Sequence, residues 1–229
     1  MNAVAKAWGP THEDARARLL AAGVRLFAQQ GYAKTSTREL AEEAQVNVAS
    51  ISYYFGDKAG LYRAVFTEPL GGACDDVSRY DGAELPLADA LRGFYAGFLE
   101  PLKQGDMARW CMKLHFREML EPTGLCDVNE ALGVAPMHRA LVDVLRRHLG
   151  LPAPDDELDR LAICLTGLGV HLHVGRDMTD QIAPQLHQGD PSLARWSDSL
   201  VRYALAMLRA EADRRGLPWR DPGHGVLNR

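Results

Sequence analysis

The apolar positions of this chain recur at three- and four-residue spacing almost throughout, which predicts helices and no strands. Between Glu13 and Gln30, Leu20, Val24 and Phe27 lie on one face with Leu19 and Leu26 beside them, and Gly31 supplies the stop. Ser36-Thr37-Arg38-Glu39 has the form of a capping box and opens a short helix with Leu40, Ala41 and Ala44 inward. Asn47 is positioned to cap a further helix to Phe55, whose inner residues are Ile51 and Phe55. Gly56-Asp57 breaks and recaps the chain before Leu61, Val65 and Phe66. Downstream the pattern predicts helices near 86–103, 106–120, 136–149, 155–175 and 191–215. Gly105, Pro122, Gly150 and Gly216 act as stops, with Pro136 and Pro191 in first turns. The expected fold is all-α: a three-helix helix-turn-helix head over 1–68, a larger helical body over 69–216, and a mobile tail over 217–229.

Composition leaves that picture intact. A hydrophobic fraction of 47% and a charged fraction of 24% suit a globular chain of 229 residues with a sizeable core. No apolar run reaches the roughly 18 residues of a membrane span, and "MNAVAKAWGP" has no signal-peptide core, so a cytoplasmic location is expected. Cys74, Cys111, Cys126 and Cys164 are scattered and read as free thiols. The net charge of −4 is distributed unevenly. Residues 1–68 hold eight Lys/Arg against seven Asp/Glu, and the remainder holds 18 against 23. The direction of that asymmetry suits a head facing DNA.

The stretch "ASISYY" does change the picture. On a helical wheel with Ile51 inward, Phe55 falls about 40° away, while Ala49 and Tyr53 fall within about 20° of directly outward. Ser50 and Ser52 flank them, and Val48 and Tyr54 lie at the margins. Small side chains let a helix enter a major groove about 12 Å wide, hydroxyls can bond base edges or phosphates, and Ala or Val can touch a thymine methyl. A plain surface helix is the alternative for this segment taken alone.

The surrounding spacing resembles the DNA-binding signature of TetR-type transcriptional regulators, "T-x-x-x-I-A-x-x-A-G-V" followed by "Y-x-F-x-x-K-x-x-L". The matching residues are Thr37, Leu40, Ala41, Ala44, Val46, Tyr53, Phe55, Lys58 and Leu61, preceded by "FAQQGYAKTS". Gln45 stands where that pattern has glycine, which implies either modest strain or a different turn. The resemblance implies that Thr37, Tyr53 and Lys58 contact phosphates, with help from the amides of the helix Lys58 opens. It implies that Asn47, Val48, Ala49, Ser50 and Ser52 approach or read bases. "HFREMLEPT" is similar to a stretch in one TetR subgroup with a distinctive C-terminal domain, where "R-E-M-x-x-P" closes a body helix.

For the body, the resemblance implies a helical ligand-binding domain that dimerises through its last helices. Leu193, Trp196, Leu200, Ala204 and Met207 form an apolar stripe that fits a partner surface, or the inside of its own subunit. Trp110, Leu114, His115, Cys164, Leu168 and His171 are candidates for an effector pocket taking a small, mostly apolar molecule. Core packing with satisfied polar tips is the alternative for each. His171 and His173 diverge by about 200° on a helix and cannot clasp one ion, whereas Cys111 and His115 are spaced for shared ligation. No metal and no cofactor is expected, and a metal-sensing regulator remains the lesser alternative.

No G-x-S-x-G, H-E-x-x-H, Walker loop or strand-glycine-helix fingerprint occurs, so an enzyme is not expected. The expected function is a ligand-responsive transcriptional regulator: a homodimeric repressor on a near-palindromic DNA operator, released by a small effector. A helical interaction protein without DNA binding is the alternative.

Overall fold

The capping box, the stop glycines and the apolar spacing all appear as drawn in a computed structural model, which describes residues 15–68, 77–126, 133–187 and 190–219. Every regular element among the described residues is helical. In chain order these are α1 (Ala15–Gln30), α2 (Thr37–Glu43), α3 (Ala49–Phe55), α4 (Lys58–Thr67), α5 (Leu87–Lys103), α6 (Asp106–Leu120), α7 (Val134–Leu149), α8 (Asp156–Val174), α9 (Arg176–Ile182) and α10 (Asp190–Arg214). Short 3-10 turns occur at Val77–Arg79 and Pro184–His187. The apolar pattern missed α9, which follows α8 after the single residue Gly175. No described helix is long and apolar enough to cross a membrane. The expected tail lies outside the described residues from position 220 onward.

The chain forms two compact units. The first contains residues 1–74 and 101–133, the second 75–100 and 134–229. The division within α5 falls at Pro101, which has no N–H to give the carbonyl four residues back. The first unit therefore holds α6 together with α1 to α4, one helix more than the three expected for the head, and α6 packs on α1.

The core of the first unit is aromatic. Tyr62 is fully buried, with Phe27 and Tyr32 edge-on at 4.9 Å and Phe66 at 5.1 Å. Leu19, Val24, Leu40, Ile51, Leu61, Val65 and Leu114 fill the space around these rings. Gly23 sets the spacing of α1 and α4, because a Cβ there would lie 3.0 Å from Val65 Cγ1. At the centre, the Tyr62 hydroxyl donates to Glu118 Oε2 at 2.6 Å, and the Thr123 N–H and hydroxyl donate to Glu118 Oε1 at 2.9 and 2.8 Å. A carboxylate this deeply buried needs such partners. Burial, and then the Glu118 hydrogen bond, push the Tyr62 phenol well above its ordinary range.

The second unit packs α5, α7, α8 and α10 around Leu91, Phe94, Tyr95, Leu141, Leu145, Leu165 and Leu208. The Tyr95 hydroxyl donates to the Leu165 carbonyl at 3.1 Å, and His173 Nε2 donates to the Phe98 carbonyl at 2.8 Å. A Cβ on Gly169 would lie 2.7 Å from the Phe98 ring, so α5 and α8 approach closely there. Asp155 caps α8 by accepting the Leu158 N–H, and its carboxylate also receives the Arg215 guanidinium at 2.6 and 2.9 Å. The charge-assisted fork holds the Asp155 carboxyl far below the usual carboxylate range.

Candidate nucleic-acid interface

The α2–α3 element is built from local hydrogen bonds. Ser36 Oγ accepts the Glu39 N–H at 3.2 Å, and the Glu39 carboxylate accepts the Ser36 N–H at 2.8 Å, completing the capping box. The Ser36 N–H, and then the Ser36 hydroxyl at 2.7 Å, donate to the Glu39 carboxylate and lower its pKa. At the other end of α2, the Gln45 N–H donates to the Glu42 carbonyl and the Val46 N–H to the Ala41 carbonyl. That pairing is a Schellman motif, and it needs a left-handed residue. Gln45 takes that conformation, with φ at 53°. The turn is thus the glycine-type turn, occupied by a residue that carries a Cβ.

Asn47 fixes the start of α3, its Oδ1 accepting the Ala49 N–H at 2.8 Å. Ile51 is inward and 2% exposed, and it anchors the helix to the unit. Tyr53 stands 82% exposed, packed edge-on against Tyr54 at 4.8 Å, and Val48 is 50% exposed. Thr37, Asn47, Ala49 and Ser52 are also exposed, and Ser50 is half-buried. Seven of the eight candidate DNA contacts therefore share the outer surface of α2–α3. Phe55 is only half-buried, with the Arg16 guanidinium over its ring at 5.2 Å.

Lys58 differs from the rest. Its Nζ donates to the Tyr32 and Thr35 carbonyls, both at 2.9 Å, and sits 4.1 Å from the Tyr32 ring centroid. Two of its three N–H bonds thus hold the α1–α2 connection, which makes it first a positioning residue. Beside it, Asp57 caps α4 by accepting the Gly60 N–H at 2.6 Å, placing a carboxylate where the sequence reading had amides facing a phosphate.

The six effector-pocket candidates divide between the units, three in each. Leu114 and His115 are buried core residues, with His115 Nδ1 donating to the Cys111 carbonyl at 2.8 Å and its ring 5.0 Å from that of Phe66. Burial pushes the His115 imidazole down to about 4. Trp110 is half-buried beneath the Arg25 guanidinium at 5.6 Å, and Arg25 also pairs with Glu43. In the second unit, Leu168 is half-buried, whereas Cys164 and His171 lie exposed on α8. Among the described residues, no three His, Cys, Asp or Glu side chains gather into a metal-holding group.

The partner-surface stripe on α10 requires a correction. Leu200 and Ala204 are 2% and 0% exposed within the single chain, so they have no surface to give a partner. They belong to a buried line with Val201, Leu208 and Ala212. Leu193, Trp196 and Met207 are half-buried at its edge, and Trp196 Nε1 donates to the Leu186 carbonyl at 3.0 Å. The exposed apolar side chains of this unit are others, among them Ile163, Val174, Met178, Ile182 and Tyr203.

Sequence reasoning also missed the Glu118 network. Its signal was available: Cys111, His115 and Glu118 are spaced four and three apart on one helix face, and the first two are inward.

Comparison with known proteins supplies what geometry alone cannot. Residues 19–65 match the tetR family of bacterial regulatory proteins, and residues 87–211 match the C-terminal domain of the HTH-type transcriptional dual regulator CecR. The chain is 39% identical over 195 residues to the HTH-type transcriptional regulator YvkB of Bacillus subtilis, covering 83% of this chain and 93% of that one. It is 27% identical over 176 residues to CecR of Shigella flexneri, covering 72% and 78%. Its fold is shared with the hemolysin II transcriptional regulator HlyIIR at TM-score 0.58 and 21% identity over 82% of this chain and 97% of that one. A TetR-like regulator from Rhodococcus sp. RHA1 shares it at 0.57 and 19%, over 86% and 99%. With its helix-turn-helix at α2–α3 and a CecR-type C-terminal domain, this chain belongs to the TetR family of DNA-binding transcriptional regulators.

Proposed function

We propose that the protein is a ligand-responsive repressor that binds a near-palindromic operator as a homodimer and is released by a small, mostly apolar effector. The observation that carries the DNA-binding half is the exposure of Tyr53, Val48, Ala49 and Ser52 on a helix too short to bury more than Ile51. A 7-residue helix with that face gains little from its own packing, whereas a major groove accommodates it. Thr37 and Tyr53 contact phosphates, Asn47, Val48, Ala49, Ser50 and Ser52 approach base edges, and Lys58 offers its remaining N–H while holding the turn.

Dimerisation uses the exposed apolar side of α8 and α10, with Ile163, Val174 and Tyr203 on it and Trp196 and Met207 at its margin. A two-fold pair then presents two α3 helices to half-sites one helical turn, about 34–36 Å, or a multiple of it apart. The effector binds the CecR-type domain better when the heads are splayed beyond operator spacing, and so shifts the population off DNA.

The relative named a dual regulator supports a second reading, in which the same protein also activates at some promoters. Selection of duplexes from a random pool, followed by footprinting, tests the main reading. Paired protected half-sites are expected, with binding that weakens as salt rises and is lost in the Thr37→Ala/Tyr53→Ala double variant. No binding to any duplex would instead support a helical interaction protein, and binding that ignores both changes would move the DNA contact away from Thr37 and Tyr53.

A further inference from the structure

The reading face of α3 carries no Lys, Arg, Asp or Glu. Several charged side chains near it in the sequence are engaged within their own unit, although Lys34 and Arg38 stay exposed on the α2 side of the motif. Arg38 pairs with Glu42 at 3.0 Å, Glu43 pairs with Arg25, and Glu39 bonds Ser36. Asp57 caps Gly60, and Lys58 donates to two carbonyls. The commonest specific base contact, a cationic side chain bridging guanine O6 and N7, therefore has no donor on this helix. An Asn clasping adenine needs its carbonyl oxygen and its amide turned together onto the base edge, and the Ala49 N–H on one lone pair of Asn47 Oδ1 instead orients that side chain toward the start of α3. The hydroxyls of Ser50 and Ser52 can pair with any base. What remains selective is apolar: the Val48 side chain, 50% exposed, and the exposed methyl of Ala49.

Thymine alone presents an apolar group in the major groove, its C5-methyl. Resting on the reading of α3 as the DNA-binding helix, we infer that Val48 and Ala49 read thymine methyl groups, so that each operator half-site is A·T-rich beneath the N-terminal end of α3. Guanine directly beneath Val48 and Ala49 is disfavoured, since O6 and N7 lose water against a methyl surface that returns no hydrogen bond. Each methyl–methyl contact is worth about 3–5-fold in affinity, and the two-fold repeat of the site doubles the number of such contacts.

Deoxyuridine removes the methyl and leaves base pairing unchanged, so it isolates this interaction. Duplexes selected by the full chain are resynthesised with single thymine-to-deoxyuridine replacements and compared by titration. The expected result is about a 3–5-fold loss at one or two positions per half-site, with no loss elsewhere. Val48→Ala and Ala49→Gly, checked for unchanged helicity, should each flatten the uridine penalty at a different position, by weakening binding to the thymine duplex by about 3–5-fold and leaving the uridine duplex unaffected. Sequence-specific binding to G·C-rich half-sites, or equal affinity for thymine and deoxyuridine throughout, would overturn the inference and leave DNA binding by α3 intact. Absence of binding to any duplex would remove the DNA-binding reading itself, and this inference with it.

Discussion

The two helices that mark this protein's partners in its sequence, α3 and α10, give opposite lessons. On α3, 7 residues long, the wheel placed Ile51 inward and Ala49, Ser52 and Tyr53 outward, and they lie so. On α10, 25 residues long, the apolar stripe suggested a second subunit, yet Leu200 and Ala204 face their own chain. An apolar stripe satisfies the nearest apolar surface first, and on a long helix that surface is the rest of the subunit. A partner face is instead marked by side chains that break the local rule. On the proposed reading Tyr53, a large aromatic left 82% exposed, is one for DNA, and the exposed Ile163 and Tyr203 are others for a second subunit.

The largest effects should separate inner stripe from outer face on α10. Leu200→Ala removes a fully enclosed side chain and should cost about 2–5 kcal/mol. The urea midpoint should then fall at every protein concentration. Tyr203→Glu removes nothing from the core, so its intrinsic effect should stay within about 0.5 kcal/mol. It should act through association, lowering the midpoint most where the dimer is otherwise populated and weakening sedimentation as a dimer. If Leu200→Ala changed association alone, the burial-first account of α10 would be wrong.

A second effect comes from His115, a polar residue on an inner stripe. Its imidazole is pushed down to about 4 by burial, from an ordinary 6.5. The unfolded chain therefore binds the proton more readily. The neutral form contributes its full stability above about pH 6.5, and that stability is lost as pH falls towards about 4. The loss amounts to about 3 kcal/mol. Burial also lowers His173, which acts in the same direction. Denaturation midpoints of the parent and His115→Phe, measured from pH 7 to pH 4, should diverge, with the variant less sensitive to acid. Parallel curves would mean that His115 is hydrated in solution, closer to the pocket lining its sequence position suggested.

These cases show what the sequence made legible. Capping boxes, stop glycines and apolar periods are local, and they placed α5, α6, α7, α8 and α10 to within about two residues. The outward face of α3 was legible for the same reason, since one inward anchor orients a helix this short. Contacts between distant segments were not. The sequence motif assigns Lys58 a phosphate-facing role, but not the Tyr32 and Thr35 carbonyls, 26 and 23 residues earlier, that the fold also brings to its ammonium. Glu118 looks like one more charge on α6 until Tyr62, 56 residues away, meets it.

A smaller effect should appear on DNA without any change in stability. Tyr53→Ala leaves the core untouched and should shift the urea midpoint by no more than about 0.5 kcal/mol equivalent. On the proposed reading it removes one phosphate contact per subunit, about 1 kcal/mol each. Across a dimer that is roughly 10–30-fold in affinity, spread evenly over cognate and unrelated duplexes. Ser50→Ala should instead alter base preference, as read from the selected sequences. A Tyr53 variant that changed preference rather than overall affinity would move this side chain from the backbone to the base edges.

The smallest effect tests the turn that joins the two helices of the motif. The Schellman ends of α7 and α10 place Gly150 and Gly216 in the left-handed region, with φ at 68° and 67°. The same pairing after α2 places Gln45 there, with φ at 53°. A side chain in that region costs about 1–2 kcal/mol. Glycine removes the strain but loses about 0.5–1 kcal/mol more conformational entropy on folding. Gln45→Gly should therefore stabilise the protein by about 0.5–1 kcal/mol, seen as a small rise in the urea midpoint at unchanged slope. The contrast with Gly150→Gln and Gly216→Gln is the sharper half of the test, since each installs at α7 or α10 the strain already present after α2. Each should lower the midpoint by a comparable amount. If Gln45→Gly were destabilising, the exposed Gln45 side chain would be making a compensating interaction, and the turn would be held by more than its backbone hydrogen bonds.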